Sequence, residues 1–82
     1  MATIDQGLFR PKTKVWRKVT IGKYTVILDV LGHEGAGFHP FAYFVTRIDE
    51  FGYHHSEGTF KTKKEAEACF KETIDFCERF TH

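Results

Sequence analysis

The stretch Gly58 to Phe80, GTFKTKKEAEACFKETIDFCERF, turns within three residues from strand chemistry to an amphipathic helix. Thr62 is placed to cap that helix, and Glu65 stands three residues later, where a capping box satisfies amide donors that a first turn leaves bare. From there Ala66, Cys69, Phe70, Thr73, Ile74, Cys77 and Phe80 recur at spacings of three and four, which draws one apolar stripe. Glu67, Lys71, Asp75 and Glu78 fall opposite, and Phe76 falls at the stripe's margin. A helix over 62–80 with a single apolar stripe needs one apolar surface to cover, and strands upstream would supply it.

Working back from the helix, Tyr53 to Phe60 reads as a strand, Asp49 to Gly52 (DEFG) as its turn, and Phe41 to Ile48 as the strand before. Gly32 to Pro40 (GHEGAGFHP) holds three glycines and a proline, so it is expected to be the longest loop and unable to continue a strand. Further back, Val15 to Thr20 and Tyr24 to Leu31 flank Ile21-Gly22-Lys23, a hairpin turn in which glycine supplies the unusual dihedral. In the second of these strands Tyr24, Val26, Leu28 and Val30 share one face, while Thr25, Ile27, Asp29 and Leu31 share the other. Both faces are partly apolar. One must meet the helix, and the other is expected to be incompletely covered. The fold class is therefore α+β: a single domain over 1–82, with a three- to four-stranded antiparallel sheet at 13–61 and one C-terminal helix packed on one face. Residues 1–12 are expected to form a flexible N-terminal arm.

Size narrows the function. A chain of 82 residues buries roughly 60–65% of its unfolded surface around one core. A pocket of several hundred Å³ would have to be carved from that core, so a buried enzyme site is disfavoured. Thirteen aromatics, nine of them Phe, exceed what a disordered chain carries. Residues 1–7 lack the basic start and apolar run of a signal peptide, and no apolar stretch approaches the roughly 20 residues of a membrane span, so a cytoplasmic protein without a membrane partner is expected. Cys69 and Cys77 lie eight residues apart in the helix, about 12 Å at the usual rise, which excludes a disulfide between them.

The net charge of +1 hides an asymmetry. Residues 1–23 carry Arg10, Lys12, Lys14, Arg17, Lys18 and Lys23 against Asp5 alone. Residues 24–60 carry Arg47 against Asp29, Glu34, Asp49, Glu50 and Glu57, and the last segment balances five against five. A basic edge and an acidic side are expected. The basic run, with Phe9 and Trp16 interleaved, suits phosphate anchoring and base stacking, and an edge strand guarded by lysines, the favoured reading, gives the same pattern.

Catalytic patterns do not emerge. His54 and His55 are strand neighbours that point to opposite faces, and His33 and His39 could be joined by only one of them, with Glu34 as a third ligand. No HExxH or CxxC spacing supports a metal, and none is assigned. Ser56, the only serine, follows His55 directly, a spacing that does not bring a base to the hydroxyl. The glycines of 32–40 match no phosphate-loop pattern. No catalytic residue and no cofactor is expected.

Within the chain, YFVTRIDEFGYHHSEGTFKTKKEAEACF (Tyr43 to Phe70) resembles the strand, turn, strand and helix of the arm-site or AP2-like DNA-binding modules of phage and transposon integrases, in which a phrase such as F-x-T-K-K-E-A opens the helix. The resemblance covers about a third of the chain. It implies a sheet that enters the major groove, with Arg47, His54 and His55 on the strands that read bases.

Two functions of different class are compatible with these residues. The first is a small non-enzymatic binding protein, a regulator or inhibitor of the phage or mobile-element kind that docks on a protein or nucleoprotein partner. Its candidate anchors are Phe38, Phe41, Tyr43, Phe51 and Tyr53, around the long loop and the third turn. The second is a DNA-binding module in which Arg10, Lys12, Lys14, Arg17, Lys18 and Lys23 hold phosphates while Trp16 and the sheet face add specificity. A histidine-based metal protein is a third reading, and a homodimer through an edge strand or the uncovered face is a further expectation.

Overall fold

In the computed structural model, which describes residues 11–34 and 37–80, four antiparallel strands run as a meander and one helix closes it. The strands are β1 (Pro11–Ile21), β2 (Tyr24–Glu34), β3 (Phe38–Ile48) and β4 (His54–Phe60), hydrogen-bonded in the order β1-β2-β3-β4. Helix α1 (Lys63–Arg79) follows after a two-residue link. Every sequential pair is joined by a short turn, so the topology follows from the hairpin signals alone. At Gly22-Lys23 only glycine carries a positive φ, 59°, which makes the II′-type turn that matches strand twist.

The β2 alternation decides what is buried. Val26, Leu28 and Val30 face α1 together with Tyr43 and Val45 of β3, and Ala66, Phe70 and Cys77 come down from the helix to meet them. Phe70 is 1% exposed and is the largest fully buried side chain. Thr73 is the buried polar residue of the helix, and its hydroxyl donates to the Cys69 carbonyl at 2.8 Å, so no orphan results. Thr62 caps the helix as expected: its Oγ1 accepts from the Glu65 N–H at 3.3 Å, and its hydroxyl donates to Glu65 Oε1 at 2.8 Å. The capping box thus closes through the two side chains.

Three expectations are corrected. The loop at 32–40 is far shorter, because Gly32–Glu34 extends β2 and Phe38–Pro40 begins β3, with Gly32 paired to Pro40 and His33 to His39. Glycine here permits close approach: a Cβ on Gly32 would sit 2.6 Å from the His39 carbonyl oxygen and 2.8 Å from Pro40 Cα. Proline is tolerated because it lies at the start of a strand beside a bulge. The first strand likewise begins at Pro11, so residues 11 and 12 belong to the sheet and not to an arm; residues 1–10 lie outside the described residues. Phe80, expected on the buried stripe, is 63% exposed. It is the C-cap, with φ −103° and ψ 11°, which turns it off the helical stripe and against Phe76 at 4.7 Å between ring centroids.

Three bulges break the ladders, each leaving one unpaired residue: Trp16 in β1, Phe41 in β3 and Glu57 in β4. A bulge turns two successive side chains toward one face. Trp16 is thereby brought to the helix side, 6.0 Å from Tyr43 between ring centroids, and Phe41 to the opposite side, 4.8 Å from His33.

Candidate functional site

The face of the sheet turned away from α1 is covered by no element among the described residues. Its central residues are set by strand parity: Ile27, Asp29 and Leu31 on β2 stand beside Phe44 and Ile48 on β3. All five are half-buried. Val15 on β1 adds an exposed apolar side chain opposite Asp29, and Phe41 adds another through its bulge. Thr46 of β3 stands directly opposite Ile27, and Thr13, Lys18 and Thr20 of β1, Thr25 of β2, and His54 and Ser56 of β4 complete the face. Asp29 sits among the apolar residues, and partial burial pushes its carboxyl above the usual carboxylate range.

At one end of the sheet the β3–β4 turn is built on Asp49. Its Oδ1 accepts from the N–H groups of Phe51 (2.9 Å) and Tyr53 (3.0 Å), and its Oδ2 lies 2.8 Å from His55 Nε2. The main chain closes with Asp49 N–H donating to the Tyr53 carbonyl and Gly52 N–H to the Asp49 carbonyl, both at 3.0 Å, Gly52 carrying φ 87°. The contact with His55, then the two amides, hold the Asp49 carboxyl below its ordinary range. This clamp displays Phe51 (77% exposed) and Tyr53 (68% exposed) to solvent.

The five proposed anchors therefore do not form one surface. Phe51 and Tyr53 share the turn, Phe41 is on the open face, and Phe38 lies on the helix side against the core with Lys14 Nζ 4.4 Å above its ring. Tyr43 is 7% exposed and is a core residue. Nor do the proposed phosphate contacts converge. Lys14 pairs with Glu34 at 3.3 Å and Lys23 with Glu50 at 3.8 Å. Lys63 Nζ lies 4.6 Å above the Trp16 ring, and Arg17 lies over Phe70 on the helix side, whereas Lys18 is on the open face. Lys12 is exposed near the first residue of β1, and Arg10 and Phe9 lie outside the described residues. Of the strand residues implied by the integrase resemblance, Arg47 is bound to Glu57 (3.2 Å) on the helix side beneath Phe76, and His55 is held by Asp49. His54 is on the open face.

Among the described residues no group of three His, Cys, Asp or Glu side chains could hold a metal ion, and no helix is long and apolar enough to cross a membrane. Both thiols are pushed up by burial, which disfavours the thiolate. The residues that sequence reasoning missed are Phe44 and Ile48. Their signal was the second apolar face of β2, whose Ile27 and Leu31 require apolar neighbours on the next strand.

No protein-family model matches this chain, and no curated protein or solved structure matches it significantly.

Proposed function

We propose that the chain is a non-enzymatic binding protein, a small regulator or inhibitor that docks the open face of its sheet on a protein partner. The observation that carries this reading is the chemistry of that face. Ile27 and Leu31 of β2 and Phe44 and Ile48 of β3 alternate diagonally along this face, and among the described strand residues Lys18 is the one permanent cation on it. A nucleic-acid face needs several cations to displace counterions, and the described residues of this face do not supply them. A protein surface needs a desolvated apolar centre with a polar rim.

Asp29 narrows the partner further. Covering the face would strip water from a carboxyl already raised by burial, which is costly unless a cation arrives with the partner. The fitting partner presents a Lys or Arg within an apolar surround.

The test captures partners on the tagged chain at low and high salt, with nuclease treatment in parallel, and repeats the capture with Leu31→Glu and Asp29→Lys. Both positions are half-exposed, so the fold should survive, and thermal melts would check it. Retention at high salt and after nuclease, lost with either variant, supports the reading. A partner that leaves with nuclease, or stays on both variants, overturns it. If the purified chain sediments as a dimer that Leu31→Glu dissociates, a second copy is the occupant.

A further inference from the structure

Helix α1 packs chiefly on β2, β3 and β4 and only lightly on β1. This leaves a groove of about 440 Å³ between the helix flank and β1, on the opposite side of the sheet from the open face. Its β1 wall is Arg17, its helix wall is Lys64, Ala68 and Lys71 with Glu67, and Phe70 and Ile74 reach it from the core. Three cations thus face one carboxylate. That carboxylate is already engaged, since Glu67 lies 3.8 Å from Lys63. Arg17, Lys64 and Lys71 take part in none of the ion pairs among the described residues.

We propose that this groove is a second binding site, for an acidic peptide segment of a protein partner that carries an apolar side chain between its carboxylates. The cations bracket the groove: Lys64 and Lys71 are seven residues apart on α1, about 10 Å along one helix face. Arg17 stands across from them with its guanidinium 5.0 Å above the Phe70 ring, which fixes its direction. On the helix, Ala68 and Glu67, whose carboxylate is engaged by Lys63, lie between Lys64 and Lys71, and the half-buried Ile74 follows one turn beyond Lys71. Two carboxylates about 10 Å apart with an aliphatic group between them complement this arrangement in charge and in polarity. Nucleic acid fits it less well. The Phe70 ring is buried beneath Arg17 and offers no face for a base, and one side of the nearby Trp16 ring is occupied by Lys63. The site is independent of the docking face proposed above, and a chain that used both would hold two partners on opposite sides of one sheet.

The experiment uses the purified chain and a short fluorescein-labelled peptide of Glu, Asp and Leu, followed by anisotropy. An all-Glu peptide of equal length and a dT oligonucleotide serve as competitors. Saturable one-to-one binding is expected, weakened about tenfold or more in Lys64→Gln/Lys71→Gln and changed less than about twofold in Lys12→Gln/Lys23→Gln, which removes the same charge elsewhere. Leu31→Glu, on the open face, should leave peptide binding intact. Because the lysine changes are on exposed side chains, melts of each variant should match the parent. The proposal is overturned by an absence of saturable binding, by equal weakening in both double variants, or by an all-Glu peptide that competes as well as the Leu-containing one. It is also overturned, in favour of a nucleic-acid site, if the oligonucleotide binds more tightly and depends on Lys64 and Lys71.

Discussion

Two single residues set the shape of the ends of the sheet. Gly32 allows β2 and β3 to pair past their bulge, and a Cβ there would meet the Phe38 ring together with the backbone of His39 and Pro40, which cannot rotate away. Gly32→Ala should therefore destabilise by about 1–3 kcal/mol, read as a lower urea midpoint with an unchanged slope. An unchanged midpoint would show that β3 can shift to admit the methyl. Asp49 does the corresponding work at the other end. Its carboxyl is held below its ordinary value, so its contribution is complete above the unfolded carboxylate pKa near 4 and is lost as the pH falls through the lower folded value. The amide proton shifts of Phe51 and Tyr53, followed by NMR, should therefore titrate below the ordinary aspartate range. Titration at or above that range would remove Asp49 as the clamp.

At the scale of elements, the helix is the part most dependent on few residues. Phe70 is the largest fully buried side chain in a core of eight apolar residues, and Phe70→Ala should cost about 3–5 kcal/mol. For a domain this small that is a large share of total stability, so loss of the cooperative melting transition is the expected result. Thr62→Ala removes only the cap and should cost about 1 kcal/mol while the fold remains. The helix was legible in the sequence because its signals agree: a cap at Thr62, an acid at Glu65 and a stripe at helical spacing. The extent of the strands was not legible, because glycine and proline at 32–40 carry the same letters whether they make a loop or a bulged hairpin. What decides between these is pairing across strands, and no local window contains it. The same holds for the bulges, where one extra residue alters no composition yet redirects Trp16 and Phe41. The open face was half legible: Ile27 and Leu31 announced it, whereas Phe44 and Ile48 joined it only once the β2–β3 register was known.

At the scale of the molecule, one helix cannot cover a four-stranded sheet on both sides, and the side that no described element covers holds a carboxylate among apolar residues. That carboxylate is Asp29. A carboxylate surrounded by Val15, Ile27, Leu31 and Phe44 contributes nothing to packing, and its raised pKa means that the folded chain disfavours the charged form. The sign of the pH dependence follows. Above its folded pKa the charged Asp29 weakens the fold, and as the pH falls through that value toward the unfolded one the carboxyl protonates and the penalty disappears. Asp29→Asn, neutral at every pH and nearly the same shape, should melt higher than the parent at neutral pH and should converge with it in acid. Equal melting at neutral pH, or a difference that persists below the carboxylate range, would show that the charge is without consequence for the fold. If the variant is more stable and also loses the captured partner, the carboxylate is retained at a cost to the free protein because the complex uses it, which is the trade a binding surface makes and an unoccupied sheet face does not.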